Sequence, residues 1–415
     1  LGIADTIVIG VLGTVALAAI SAATSVFIVL AIGLWAFPNA ARIMGAQALG
    51  AGDPRRFGRI VRSSIIAPLA VAAAAAFVST FAAAPLMGAL LGGIPARDAA
   101  AHYLILRSIS LIPIAISNHA IAAFSAAGDA RLAPRTLAII NVIHIPLLVV
   151  LALGVGTHVP LGLFGAGLSS LISECVGSFY CLWAVARRPA YHILEPGIDP
   201  AIARTATTIA LPDFVTLCLL LIPDAITVAF IAPLGAVAVA AFRAFTLVTD
   251  ATWAVPGAFG DAIQIVVGQR IGAGDLAGAR SFIASANRLA VVVGSVVAVV
   301  FIALAWPLTA LVTLSPMLAS VAALPLALHL TTLPIKSLGV AMIAPIRAAG
   351  DTRFAMWNGV LGAAVAIAAI AFCTQTLHLG LYAIGIAWIV SWTLRTLLSW
   401  LKLRTGDWER RRLTA

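Results

Sequence analysis

Charged residues are scarce in this chain. Only 10% of its 415 residues are Asp, Glu, Lys or Arg, whereas 62% are apolar, and the mean hydropathy is +1.11. A water-exposed surface cannot have this composition over such a length, so a soluble globular protein is excluded. The composition predicts an all-α polytopic membrane protein.

Cysteine is also rare, and common catalytic motifs are absent. The 4 cysteines stand singly in apolar segments without CxxC spacing, so they predict buried core positions and neither a disulfide nor a metal site. No HExxH, Walker A or GxSxG pattern occurs. The acids inside apolar segments are dispersed, whereas a membrane-embedded enzyme would gather acids or metal ligands at one membrane face. We therefore expect no enzymatic activity and no cofactor.

What the chain does contain is a second copy of itself, in which the same short motifs return in the same order and register. GAQALGAGD at 45–53 recurs as GQRIGAGD at 268–275, and AAGDAR at 126–131 recurs as AAGDTR at 348–353. In the GAGD turns we expect glycine to supply a positive φ and Asp to cap the following helix. The sequence thus predicts a duplicated architecture.

Apolar stretches of membrane-spanning length predict twelve transmembrane helices, six in each copy. They are placed at about 1–12, 15–48, 56–91, 96–127, 131–155, 161–187, 200–232, 236–270, 276–313, 317–348, 352–377 and 381–402. An even number of crossings per copy predicts parallel repeats, with a cleft between two lobes. The expected domains are an amino-terminal lobe at 1–190 with a truncated first helix, a cytoplasmic linker at 191–203, a carboxy-terminal lobe at 204–403 and a basic tail at 404–415.

Arginine is concentrated in the loops that follow even-numbered helices and in the tail, as at Arg55, Arg131, Arg270, Arg353 and Arg410. The positive-inside rule then places these loops and both termini in the cytoplasm. The net charge of +10 is explained by this topology and by attraction to anionic membrane lipids, so a nucleic-acid partner is not expected.

Six collinear segments carry a family resemblance that covers nearly the whole chain. They are IADTIVIGVLGTVALAAIS, GAQALGAGDPRRFGR, SAAGDARLAPR, APLGAVAVAAFR, VPGAFG and GQRIGAGDLAGAR. The set resembles the multidrug and toxic compound extrusion (MATE) transporters, and in particular the DNA-damage-inducible-protein-F-like bacterial branch. The resemblance implies two six-helix lobes forming a V, and export driven by a proton or sodium gradient. We expect a monomer in the bacterial inner membrane.

Asp5 is the first candidate for proton or cation coupling. An ionisable side chain at bilayer depth is costly and needs a reason to be there. Asp5 lies about two turns before the turn at Gly13, in an otherwise uncharged apolar segment. The resemblance assigns it the acidic position of helix 1 that family members use for coupling. The alternative is an Asp that only forms hydrogen bonds at a helix end or in a cavity.

Helix 5 departs from the family pattern. The family's NxxxDP motif corresponds to NVIHIP at 141–146, in which Asn141 is kept and Ile145 replaces the acid. His144 stands next to that position, and histidine is the side chain suited to proton exchange near neutral pH. Ser170 falls where helix 6 of the family often carries a hydroxyl. His144 and Ser170 are therefore candidate site residues, with helix packing as the alternative role.

In the second half, Lys336 takes the place of a helix 10 acid that the sodium-coupled branch carries, and Asp224 lies about one turn after the corresponding helix 7 position. Sodium binding there is therefore not favoured. We hypothesise that Lys336 pairs with Asp224 or Asp213 as a tethered cation. The alternative is a lysine whose ammonium extends to the membrane interface.

The resulting prediction is a proton-coupled exporter of amphipathic, cationic organic compounds. A lipid-linked precursor flippase of the same architecture is the competing prediction, and it would use cationic residues such as Arg107, Arg243 and Lys336 for a pyrophosphate. Sodium-coupled export remains a third possibility.

Overall fold

The computed structural model describes residues 2–93, 95–155, 159–219, 221–313 and 315–410, and these residues form helices and short connections without a β-strand. The helices of the first half are α1 (Gly2–Gly10), α2 (Thr14–Ile32), α3 (Phe37–Gly50), α4 (Pro54–Ser64), α5 (Ile66–Leu91), α6 (Arg97–Ile109), α7 (Leu111–Ala126), α8 (Leu132–Leu153) and α9 (Gly162–Ala186). Those of the second half are α10 (Pro200–Leu219), α11 (Leu221–Ile231), α12 (Ala236–Thr252), α13 (Ala254–Ala273), α14 (Leu276–Ala303), α15 (Ala305–Thr313), α16 (Pro316–Leu330), α17 (Leu333–Ala348), α18 (Thr352–Gln375), α19 (Tyr382–Arg404) and α20 (Asp407–Arg410).

Most of the helical segments are long and apolar enough to cross a membrane. Within the described ranges 10 segments meet this condition, and α16 with α17, bent by 43°, makes an eleventh if the pair forms one span. The predicted first helix corresponds to α1, which has 9 residues. The all-α polytopic class predicted from composition is confirmed.

The internal repeat is visible in the backbone. α2 begins at Thr14 and α12 at Ala236, and these are equivalent positions of the two copies. Gly52 and Gly274, another equivalent pair, adopt φ of +73° and +75° in the two GAGD turns. This left-handed conformation favours glycine because a Cβ would clash with the backbone. The duplicated sequence thus encodes a duplicated turn.

The Asp that ends each GAGD turn caps the next helix. The Asp53 side chain accepts a hydrogen bond of 2.8 Å from the Arg56 backbone N–H, and the Asp275 side chain accepts one of 2.8 Å from the Gly278 backbone N–H. Each carboxylate satisfies a backbone donor that has no partner inside the first helical turn. These caps confirm the role predicted for the two Asp residues.

The chain forms two compact units, one comprising Leu1–Gly45 and Asp53–Phe214, the other Ala46–Gly52 and Val215–Ala415. The division falls inside α10, beyond the linker predicted at 191–203. In the first unit the end of α10 is held by Asp213, whose carboxylate accepts a hydrogen bond of 2.5 Å from Asn39 Nδ2. The predicted lobe, linker and tail boundaries stay predictions about topology.

Small side chains dominate the buried surfaces of both units. Alanines without exposed surface include Ala19, Ala72 and Ala100 in the first unit and Ala341 in the second. Small residues let helix backbones approach closely, which suits helices in a membrane. Cysteine follows this pattern only in part: Cys181 and Cys373 are buried as predicted, whereas Cys175 is exposed, so the prediction is wrong there.

In the second unit, two repeat-related glycines lie against backbone. A Cβ built on Gly50 would overlap the carbonyl oxygen of Gln269, and one built on Gly272 would overlap that of Gln47. Gln47 also donates a hydrogen bond of 2.7 Å from Nε2 to the Ala348 carbonyl. The two halves of this contact are therefore built from equivalent residues of the two copies: Gly50 and Gln47 in one, Gly272 and Gln269 in the other.

We expect Gly50→Ala to destabilise the protein by ~1–3 kcal/mol, because the added methyl group cannot fit without moving backbone. The thermal midpoint of the purified protein in detergent measures this loss. Gly88→Ala is the matched control, since a Cβ at Gly88 meets no atom within 4 Å and alanine favours the α5 helix. Equal midpoints for the two variants would contradict the expectation.

Candidate functional site

Asp5 is the centre of a buried polar site in the first unit. Asp5 is only 1% exposed, and it is the single charged residue of α1. One carboxyl oxygen, Oδ1, lies 2.8 Å from His144 Nε2, and the Tyr103 hydroxyl donates a hydrogen bond of 3.3 Å to the other, Oδ2. A buried carboxylate without hydrogen bonds would be strongly destabilising, so these two partners account for its presence. The structure thus brings together Asp5 and His144, two residues predicted separately.

His144 reaches Asp5 because of its position on α8. The buried residues of this helix follow one another at intervals of four: Leu132, Thr136, Ile140, His144, Leu148 and Ala152. Residues four apart lie on one face of a helix. His144 is the basic member of that buried row, and its ring has no exposed surface. The row explains why a histidine is held at this depth.

Two neighbours of His144 in the NVIHIP segment, Asn141 and Ile145, lie outside the buried row of α8. Ile145, at the position of the family's acid, is 47% exposed. Asn141 is partly exposed and donates a hydrogen bond of 2.8 Å from Nδ2 to the Leu137 carbonyl of its own helix. Its described hydrogen bond is therefore local, and the structure does not bring Asn141 to the Asp5 carboxyl.

Tyr103 and Arg107 enter the site from α6, where they are four residues apart on its buried face. Arg107 is 7% exposed, and its guanidinium carbon lies 4.0 Å from the centre of the Phe27 ring. Among the described residues, the Nε and Nη1 atoms of Arg107 have no hydrogen-bond partner. A cation stacked on an aromatic face is partly stabilised by the ring. Sequence reasoning did not select Tyr103, because tyrosine in an apolar helix is an ordinary core residue.

Glu174 adds a second buried carboxyl from α9. It is 8% exposed and interacts electrostatically with Arg107 and His144. Ser170, one turn earlier on the same helix, is fully buried, and its hydroxyl has no hydrogen-bond partner within the described part of the chain. The predicted Ser170 and the unselected Glu174 therefore share one buried face of α9. The acid missing at Ile145 has a buried counterpart on this neighbouring helix.

The predicted second-half residues lie in the other unit. Lys336 on α17 is 9% exposed, and its ammonium nitrogen lies 4.8 Å from the ring centre of Trp253 and 6.0 Å from that of Trp392. The side chain of Asp224 lies outside the described residues. Asp213, the other proposed partner of Lys336, belongs to the first unit, so the tethered pair stays a prediction.

Metal ligands do not gather in the described ranges. No three His, Cys, Asp or Glu side chains there are placed to hold a metal ion together. The buried polar groups instead include a hydrogen-bonded carboxyl site around Asp5 in the first unit and a cation–aromatic cluster around Lys336 in the second.

These features define a class of protein: a multi-pass membrane transporter built of helices with buried ionisable groups. The chain belongs to the MatE family, which it matches over residues 1–150 and 212–374. The family predicted from the six sequence segments is therefore confirmed.

Solved structures share this fold at low sequence identity. A MATE protein in a bent conformation is 17% identical with a TM-score of 0.89, covering 99% of this chain and 92% of that one. A mutant of the Vibrio cholerae MATE transporter VcmN is 20% identical with a TM-score of 0.88, covering 98% and 93%. A Pyrococcus furiosus transporter of the MOP superfamily is 17% identical with a TM-score of 0.87, covering 98% and 92%.

We expect His144→Leu to lower the free energy of unfolding by about 2–3 kcal/mol, because the charged Asp5 carboxylate loses the hydrogen bond that it forms with His144. Adding Asp5→Leu should restore part of that loss, since no carboxyl is then left without its partner. Unfolding midpoints in detergent, followed by tryptophan fluorescence, give the two values. His102→Leu, an exposed position on α6, is the control. Strictly additive losses from Asp5→Leu and His144→Leu would show that the two side chains do not interact.

Proposed function

We propose that this chain is a proton-coupled antiporter that exports amphipathic organic compounds, with Asp5 and His144 as its coupling pair. Membership of a transporter family supports export, and the buried hydrogen bond between Asp5 and His144 is the observation that supports proton coupling. Asp5 interacts with helices α6 and α8 through one carboxyl group. A change in its protonation therefore acts on three helices of the first unit at once.

In the ionised state the site is well satisfied. The Asp5 carboxylate accepts from the Tyr103 hydroxyl and from the Nε2–H of a neutral His144. The other ring nitrogen, Nδ1, has no partner among the described residues. The neutral tautomer with its hydrogen on Nε2 suits this environment, because a hydrogen on Nδ1 would have no described acceptor.

Adding a proton removes that balance. If the proton binds His144, the new Nδ1–H has no described acceptor. If it binds Asp5, two hydrogens face each other along the Asp5–His144 contact, or the Tyr103 hydroxyl must turn to accept. Either result weakens the hydrogen bonds that join α1 to α6 and α8. Weaker contacts shift the balance between two packings of these helices, which is what alternating access requires.

Arg107 and Glu174 tune this step electrostatically. The guanidinium on α6 favours ionised carboxyls nearby, because an opposite charge stabilises the charged form. Glu174, which interacts with both Arg107 and His144, provides a second acceptor for a proton arriving at the site. The acid that Ile145 replaces in the family motif is thus functionally supplied by α9.

Placement in the cell follows from the arginines. We propose that both termini lie in the cytoplasm, supported by the excess of arginine in the loops after even-numbered spans. A monomer in the bacterial inner membrane completes this proposal. The energy source is the proton gradient, with no cofactor. Assignment to the DNA-damage-inducible-protein-F-like branch also remains a proposal.

Asp5→Asn should reduce proton-driven export at least about tenfold, because an amide cannot take up and release the coupling proton. Proteoliposomes under separately imposed proton and sodium gradients provide the assay, with the fluorescent cation ethidium and the fluorescent anion dansylglycine as probes. Asp98→Asn is the matched control, since this side chain is 76% exposed on α6 in the same unit.

Wild-type export under the proton gradient, lost in Asp5→Asn and kept in Asp98→Asn, is the expected result. Export driven by the sodium gradient alone would contradict proton coupling. Undiminished proton-driven export in Asp5→Asn would remove Asp5 from the mechanism.

A further inference from the structure

Lys336 is a deeply buried cation in the second unit whose described contacts are aromatic. It is 9% exposed, and its ammonium lies 4.8 Å from the centre of the Trp253 ring and 6.0 Å from that of Trp392. An ammonium over an indole face is stabilised by the ring's quadrupole. This stabilisation is smaller than the free energy needed to remove an ammonium from water. The two rings alone therefore do not offset the free energy needed to bury the Lys336 ammonium.

A second cation lies on the same indole. The guanidinium carbon of Arg395, on α19, is 4.0 Å from the Trp392 ring centre, and its Nε donates a hydrogen bond of 3.2 Å to Asn358 Oδ1. Arg395 also acts electrostatically on Lys336. Two like charges near one ring repel each other, so the cluster attracts an anion.

No carboxylate neutralises the pair within the described side chains. The described ion pairs include neither Lys336 nor Arg395. Asp250 is the acid that acts electrostatically on Lys336, and it is exposed. The cluster of Lys336, Arg395, Trp253 and Trp392 therefore carries a net positive charge inside an apolar unit.

Trp253 gives this cluster an accessible side. Trp253 is 46% exposed, whereas Trp392 is 5% exposed. Trp253 lies between α12 and α13, and the exposed part of this residue is the surface that a ligand can contact. The ammonium beside the Trp253 ring can then bind an anionic group carried by an aromatic or amphipathic skeleton.

We propose that Lys336, Trp253, Trp392 and Arg395 form a binding site for amphipathic aromatic anions, such as aromatic carboxylates. Lys336 and Arg395 supply the charge, and the indoles bind the apolar ring. The site rests on the proposed export function and specifies its substrate class, which is opposite in charge to the cation predicted from sequence. An anion in contact with Lys336 would also supply the missing counter-charge.

Two dansyl compounds with the same fluorophore and opposite charge test this site. Dansylglycine is an anion and dansylcadaverine a cation, and energy transfer from tryptophan to the dansyl group reports binding to the purified protein in detergent. We expect dansylglycine to bind at least about tenfold more tightly, as a hydrogen bond to a charged group predicts. Lys336→Gln should weaken dansylglycine binding by about tenfold or more and leave dansylcadaverine binding unchanged.

Three further variants make the test specific. Arg288→Gln removes an exposed cation of α14 and should change neither affinity. Trp253→Leu keeps the charge but removes the accessible ring, and should weaken dansylglycine binding about fivefold even if Lys336→Gln fails to fold. Asp5→Asn should lose proton-driven export but keep dansylglycine binding, which separates failure of this site from failure of proton coupling.

Equal or tighter binding of dansylcadaverine by the wild type would overturn the proposal. Unchanged dansylglycine affinity in folded Lys336→Gln and Trp253→Leu would also overturn it. A third result would also contradict the proposal: Asp224→Asn strengthens dansylglycine binding while Lys336→Gln leaves it unchanged. Asp224 would then neutralise Lys336 within the chain, and Lys336 would not bind the anion.

Discussion

The structure depends on one constraint: burying an ionised side chain costs free energy, and neighbouring groups must offset that cost. The chain meets it in two ways. Around Asp5, hydrogen-bonding groups from two other helices surround a carboxyl. Around Lys336, the described partners are aromatic rings, which offset only part of the free energy needed to bury the ammonium. The first arrangement is sensitive to a single proton, because each hydrogen bond depends on which atom carries hydrogen. The arrangement around Lys336 is sensitive to the charge of a ligand that approaches the ammonium.

The two copies share a scaffold but not this chemistry. In the register that aligns the two GAGD turns, Asp5 corresponds to Thr227 of the second copy, and His144 corresponds to Ala366. Lys336 corresponds to Ile114 of the first copy. Turns, caps and close helix contacts recur in both copies because they are set by short backbone motifs. The ionisable residues have diverged, so each copy has acquired its own polar site on a common frame.

Sequence reasoning recovered the features that depend on neighbouring residues. Hydropathy located the spans, the GAGD repeat located the caps, and the rarity of acids in apolar segments singled out Asp5. It did not foresee Tyr103 and Glu174 around that carboxyl, because their meeting depends on how α6 and α9 are rotated against α1. Nor did it foresee that Lys336 lies close to two tryptophans, since residues distant in the chain come together only through packing.

The row of buried residues on α8 determines, through geometry alone, which side chain meets the Asp5 carboxyl. Neighbouring residues on a helix point about 100° apart, so turning α8 by one position would bring Ile145 to Asp5 in place of His144. The same helix, with an unchanged sequence, would then present a hydrocarbon group to the carboxyl. The rotation of α8 about its own axis therefore decides whether the Asp5 carboxyl meets a ring nitrogen or a hydrocarbon side chain.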